Sequence, residues 1–197
     1  MKGPIRVYLA EREGFWLAVS INHGTVIGCS FSREKHEALS SLRRKLGGCL
    51  PPPSCEYEVD KLGRLAVEAM WRRINGLNFE EAPPLDLGRL PRFSRGVLEI
   101  VSRIPRGSVS TYKDVALILG RPRGWRVVGM ALRHNLFPLL IPCHRVVNSD
   151  LTIGGYTALG GEGISFKRRL LEVEGVKFRG MRVSPESLWR FQLEEHR

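Results

Sequence analysis

Three short apolar runs open the chain, at 5–9, 15–21 and 26–31, each rich in β-branched and aromatic residues. Runs of this length and make-up predict β-strands. Asn22-His23-Gly24 predicts a tight turn between the second and third, because glycine takes positive φ at little cost. The period then changes. Leu39, Leu42 and Leu46 predict a helix over 33–46 that Gly47-Gly48 ends. Beyond the stiff Pro51-Pro52-Pro53 connector, Val59, Leu62, Leu65, Ala66, Ala69 and Met70 share one face of a second helix over about 58–75. These elements predict a small α/β domain built on an antiparallel sheet.

The acidic, proline-containing stretch from Glu80 to Gly88 predicts a domain boundary. The expected division is 1–88, 89–180 and a tail over 181–197. Past the boundary the pattern is mostly helical. Val97, Leu98, Ile100, Val101 and Ile104 mark a helix over 93–104, broken by Pro105-Arg106-Gly107. Thr111 is the expected N-cap of a helix over 112–119, with Asp114 three residues on in a capping-box arrangement. Gly120-Arg121-Pro122-Arg123-Gly124 ends it, and a third helix is expected over 125–133. Two short helices joined by a tight glycine-containing turn are a helix-turn-helix signature. Arg121, Arg123, Arg126 and Arg133 suit DNA phosphates there, although a solvated basic face gives the same pattern. A loop rich in glycine and hydroxyls follows over 148–161, then a helix over 167–174 stopped by Gly175. The tail is expected to be a short helix bearing Trp189 and Phe191.

Charge sharpens this division. Residues 1–88 hold 12 Lys and Arg against 11 Asp and Glu, whereas residues 89–197 hold 19 against 9. Almost all of the net +11 therefore lies in the second half, which suits a polyanionic partner. No apolar run approaches the roughly 20 residues of a membrane span, and the first twenty residues do not read as a signal peptide. The expectation is a cytoplasmic, prokaryote-like protein. Cys29, Cys49, Cys55 and Cys143 are too few and too scattered for a disulfide scaffold or a zinc finger. Buried thiols are the expected state, with Cys29 bridging Cys49 or Cys55 as the alternative.

Chemistry concentrates in Ile141-Pro142-Cys143-His144-Arg145-Val146-Val147. A thiolate is a strong nucleophile, and a neighbouring base or positive charge activates it. By itself the pair also reads as a small buried cysteine beside a solvated histidine.

Gly107 to Tyr112, Arg126 to Asn135, Ile141 to Val147, Gly154-Gly155-Tyr156 and Lys167 to Gly175 resemble, in order and spacing, the O6-alkylguanine–DNA alkyltransferases. The likeness covers roughly residues 90–178, and the Pro-Cys-His-Arg-Val core is its most specific part. It implies an α+β protein with an RNase H-like N-terminal domain for support and a winged-helix-like C-terminal domain. It implies DNA repair: an alkylated guanine (O4-alkylthymine being a further substrate) is flipped from the duplex, and its alkyl group moves irreversibly to Cys143. No cofactor or metal is implied, and the partner is the minor groove of double-stranded DNA bound by a monomer. His144 is implied to reach the thiol through a water, with Glu174 orienting it; Glu172 competes for that role, and Glu174 is favoured by its place before the terminating glycine. Tyr112 resembles the phenol that donates to guanine N3; a core tyrosine is its plainer reading. Arg126 matches the intercalating finger, and otherwise a phosphate contact. Thr111, Arg123, Arg133, Gly129 and Ala131 complete the implied DNA surface, the last two by being small. Val146, Tyr156, Thr157 and Asn135 complete the implied base pocket. Trp125 and Met130 are bulkier than the family shows nearby, and Trp125 stays open between a wedge, a core residue and a later helix start.

Three competing readings are weaker. A non-reactive relative that only flags damaged bases would lack Cys143. A Cys-His hydrolase needs an oxyanion hole, and a transcription factor needs a dimerisation or sensor signal; the sequence offers neither.

Overall fold

The computed structural model describes residues 4–48, 50–51 and 60–191. It is a mixed α/β structure whose described residues divide into two compact units. The first holds residues up to Arg89 together with Leu136–Leu140 and Ala158–Gly160, and the second holds the remainder.

In the first unit β1 (Arg6–Arg12), β2 (Phe15–Asn22) and β3 (Thr25–Ser32) form an antiparallel sheet in sequence order. Both hairpins turn on two residues with positive φ, Glu13-Gly14 and His23-Gly24. Such turns match the twist of the strands they join. Helix α1 (Lys35–Leu46) lays Ala38 and Leu42 against Val7, Leu9 and Ala18. Helix α2 (Lys61–Ile74) meets the next side chain along β1, because Gly63 lies against the Tyr8 ring. Successive strand residues point to opposite faces, so the helices cover both sides of the sheet. That is why the strands read as nearly continuous apolar runs rather than as alternating ones.

The second helix begins, as described, at Lys61, capped by Asp60, which accepts from the Leu62 and Gly63 amides at 3.1 Å each. The 58–59 part of the expected helix lies outside the described residues, as do Cys49 and Cys55 and therefore any bridge to Cys29. The Cys29 thiol donates to the Pro138 carbonyl at 3.3 Å, and its amide donates to the Leu136 carbonyl at 2.7 Å. Leu136–Leu140, expected within the 89–180 segment, thus packs with the first unit.

The second unit contains α3 (Arg92–Ser102), β4 (Ser110–Thr111), α4 (Tyr112–Ile118), α5 (Trp125–Arg133), β5 (Val146–Val147) and α6 (Gly163–Val173). A small hairpin follows, β6 (Phe178–Arg179) with β7 (Arg182–Val183). Two expectations are corrected. Helix α6 starts four residues earlier than its apolar spacing suggested. The described part of the tail forms a 3-10 turn at Pro185–Ser187 instead of an α-helix, and the Leu188 amide closes it onto Pro185. Val109, Val147, Leu171, Val176 and Val183 form a shared core beneath these elements. No helix among the described residues is long and apolar enough to cross a membrane.

A β-carbon added at Gly63 would lie 2.5 Å from the Tyr8 ring. Gly63→Ala is expected to destabilise the protein by about 1–3 kcal/mol through overpacking, outweighing the roughly 1 kcal/mol that alanine gains in a helix. Urea unfolding measures this, and an unchanged or raised midpoint refutes the close packing.

Candidate active site

Pro142 changes the course of the chain just before the thiol. Cys143–Arg145 form a single 3-10 turn, closed by the Arg145 amide on the Pro142 carbonyl at 3.0 Å, and only then does β5 begin. In an extended strand adjacent side chains would point apart. In a 3-10 turn they step by about 120°, so His144 and Arg145 can converge on one partner.

That partner is Glu174, the residue that caps α6 before Gly175 at φ 91. The Arg145 guanidinium donates Nε to Oε2 and Nη2 to Oε1, both at 2.8 Å, and Nη1 to the Ile104 carbonyl at 2.6 Å. His144 Nε2 lies 3.1 Å from Glu174 Oε1. All three side chains are buried. Burial works against charge on Glu174, yet the neighbouring His144 and Arg145 more than reverse it and hold the carboxyl well below the usual carboxylate range. With Nε2 donating to a fixed carboxylate, a neutral His144 ring keeps Nδ1 as its proton acceptor. Glu172 is exposed and paired with Arg168 at 2.8 Å.

Tyr112 reaches the same region by a different route. Strand β4 runs parallel to β5, pairing Thr111 with Val147. The Thr111 hydroxyl accepts from the Asp114 amide at 3.0 Å and donates to its carboxylate at 2.7 Å, which starts α4 at Tyr112. Burial, and then negative charge on Cys143, push the Tyr112 phenol up to about 12. It stays protonated at neutral pH and can act as a donor.

Two buried cations here carried no role in the sequence reading, Arg145 and Lys167. Lys167 donates to the Val146 carbonyl at 2.7 Å and stands 5.9 Å from the Tyr112 ring centre. Burial lowers it to about 8, while negative charge on Cys143 acts the other way. Lys167 and Cys143 are therefore electrostatic neighbours, and an ammonium and a thiolate stabilise each other there. A signal for Lys167 was present in the sequence: it falls on the α6 stripe of Phe166, Leu170 and Leu171, where a solvated lysine does not belong.

The structure thus brings Tyr112 and Lys167 near Cys143 and ties His144 and Arg145, the next two residues of its turn, to Glu174. Tyr156 is half-buried with its ring 6.4 Å from that of Phe166, Asn135 is buried just beyond α5, and Thr157 is exposed on the loop. Among the described residues, no group of three His, Cys, Asp or Glu side chains could hold a metal ion.

Helix α5 turns Val128, Ala131 and Leu132 inward. Ala131 therefore does not belong to an open small-residue face, because it lies on the packed side of the helix, about 100° per residue from its exposed neighbours. Trp125, Arg126, Val127, Met130 and Arg133 form the exposed side, Arg123 is exposed in the turn before it, and Gly129 is half-buried. Thr111 is likewise buried and spent on its cap. Trp125 is the first residue of α5 and 47% exposed, which removes the core and late-start readings. It lines a cleft of about 560 Å³ with Tyr112, Lys113, Arg123, Ser149 and Asp150.

Residues 92–176 match the family model described as the DNA-binding domain of 6-O-methylguanine DNA methyltransferase. The chain is similar to methylated-DNA–protein-cysteine methyltransferases of Methanothermobacter thermautotrophicus, 48% identical over 49% of this chain and 51% of the relative. For that of Archaeoglobus fulgidus the identity is 50% over 43% and 56%. It spans about half the length of these curated relatives. Among solved structures it is similar to O6-methylguanine-DNA methyltransferase from the hyperthermophilic archaeon Pyrococcus kodakaraensis, with 28% identity, TM-score 0.64, and coverage of 87% of this chain and 99% of that one. It is also similar to Mycobacterium tuberculosis OGT in complex with DNA, with 26% identity, TM-score 0.65, and coverage of 86% and 92%.

Two outcomes are expected from this geometry. Because the folded pKa of Glu174 is depressed, the folded state holds fewer protons there than the unfolded state below about pH 4.3, and stability present above that pH is lost as pH falls. Glu174→Gln strands the Arg145 charge and should cost about 3–5 kcal/mol at pH 7. The gap between the two proteins should narrow in melts below about pH 4.3; a constant gap refutes the ionised carboxylate. Lys167→Met should slow alkylation of Cys143 by iodoacetamide several-fold at pH 7, read by peptide mapping. The difference should shrink above about pH 8, where the native lysine loses its proton, and a pH-independent difference refutes the charge effect.

Proposed function

We propose, taking as premise that residues 92–176 belong to the DNA-binding-domain family of 6-O-methylguanine DNA methyltransferase, that this protein repairs DNA by moving the alkyl group of O6-alkylguanine onto Cys143. The reaction is a displacement at the alkyl carbon. The Cys143 thiolate forms an S–C bond as the C–O6 bond breaks, and the electron pair leaves with the guanine. His144 takes the thiol proton through a water, and the ionised Glu174 holds the resulting imidazolium, the logic of nucleophile, base and orienter. Tyr112, kept protonated by its raised pKa, donates to guanine N3 and steadies the departing anion. The backbone carbonyls of Cys143 and Val146 accept from the guanine amino group, with Tyr156, Thr157 and Asn135 shaping and tethering the pocket. The thioether is stable, so each molecule reacts once. O4-alkylthymine, with an alkyl group on an equivalent oxygen, is a second substrate.

The O6 alkyl carbon cannot be reached while the base is stacked, so the base flips out. In this reading α4 and α5 are a helix-turn-helix within a winged-helix-like domain, and α5 enters the minor groove. That groove carries little sequence information, which suits a search for damage in any sequence. Arg126 fills the space the base leaves, while Arg123 and Arg133 hold phosphates. The +10 charge of the second half supports a polyanionic partner. The N-terminal domain (1–88) is RNase H-like and supports the catalytic segment (89–180), with 181–197 as its tail. The protein acts as a monomer in the cytoplasm.

The observation that carries the proposal is the buried Arg145–Glu174–His144 arrangement that anchors the turn bearing Cys143, within the segment the family model matches. Incubation with a duplex containing O6-methylguanine, followed by intact-mass measurement and peptide mapping, tests it. One methyl per protein on Cys143, without turnover, is expected. Catalytic turnover would point to a hydrolase, and binding without transfer to a damage-flagging protein.

A further inference from the structure

We propose that Trp125 is a base-stacking residue of the DNA interface, one that seats a nucleobase displaced when the duplex opens at the damaged guanine. The inference rests on the alkyl-transfer reading and adds a second stacking side chain beside Arg126.

Three observations carry it. First, Trp125 heads α5 with 47% of its surface exposed, and Val127 and Met130 are exposed on the same helix, Met130 at 61%. Second, this apolar surface is set among cations. Lys113, Arg123 and Arg126 are all exposed around it. The core of a protein–protein interface is depleted of charge, whereas surfaces for unstacked nucleic acid combine aromatic rings with a cationic groove. Third, the indole lines an open cleft of about 560 Å³. Lys113 and Arg123 line it too and can hold a phosphate, and Ser149 adds a hydroxyl. Asp150 also lines it as a carboxylate that accepts from Thr152, with the Arg182 guanidinium 3.6 Å away as its counter-charge.

The Arg126 guanidinium stands 4.7 Å from the Trp125 ring centre. A cation over an aromatic face occupies one face only, and Trp125 keeps 47% of its surface exposed. The cleft also contains Tyr112, which places the stack beside the reaction site rather than at the far end of the helix.

Single-turnover kinetics test the proposal on two substrates, a duplex bearing O6-methylguanine and the soluble base O6-benzylguanine. Trp125→Ala should slow duplex repair about tenfold at subsaturating DNA, the order of one lost base–aromatic stack, and at least several-fold more than it slows reaction with the soluble base. Trp125→Phe should recover most of the loss. In an Arg126→Ala background, Trp125→Ala should still impose a further loss, although the two side chains touch and their losses need not add. Native duplex rates in Trp125→Ala, or equal losses on both substrates, overturn the proposal. So does the absence of any added loss in the Arg126→Ala background, which would make the indole only a prop for Arg126. If the native protein takes an alkyl group from neither substrate, the alkyl-transfer reading itself fails. Trp125 is then judged on duplex affinity, where about a tenfold loss in Trp125→Ala supports stacking and an unchanged affinity refutes it.

Discussion

The turn that carries the thiol is anchored by one buried carboxylate. Glu174 accepts two bonds from Arg145 and lies within hydrogen-bond distance of His144. Burying such an ion in isolation would cost several kcal/mol, and two-pronged pairing with a guanidinium offsets much of that. The consequence is positional. Arg145 and His144 are neighbours in one 3-10 turn, so pinning both to the end of α6 fixes the turn, and with it the Cys143 backbone. The Arg145 bond to the Ile104 carbonyl ties the same turn to the chain just beyond α3.

A second constraint comes from the same helix. Lys167 lies seven residues before Glu174, two helical turns along the same face of α6. One helix thus supplies the anion beneath the turn and the cation beside the thiol. Lys167 is held by the Val146 carbonyl and Tyr112 by the cap at Thr111. These groups differ in how burial moves them: the phenol is kept neutral, the ammonium is brought close to neutrality near physiological pH, and the carboxylate is kept charged. Three ionisable groups within one site are thus set to different protonation states by their surroundings.

Helix α5 shows the limit of reading size from sequence. Gly129 and Ala131 both look suited to close approach, yet Ala131 belongs to the packed face while Trp125, Val127 and Met130 stand outside. The 3.6-residue period separates the faces, but it does not say which face is covered. Lys167 was passed over for the related reason that a lysine is ordinarily solvated, and only its company on an apolar stripe hinted otherwise.

By itself the sequence determined the elements whose signals are local: the three strands with their His23-Gly24 turn, the two helices that follow, and the caps at Thr111 and Gly175. It also determined the chemistry available, a thiol and an imidazole behind a proline in the basic half of the chain. Only the tertiary structure decided that the stretch at Cys143 is a turn and not a strand. It likewise decided that Arg145 shares Glu174 with His144, that Leu136–Leu140 packs with the first unit, and that Trp125 is exposed. The reason is physical. Local propensity acts over a few residues, whereas burial, and the protonation and pairing that follow from it, are set by side chains distant in the chain: Arg145 and Glu174 are 29 residues apart.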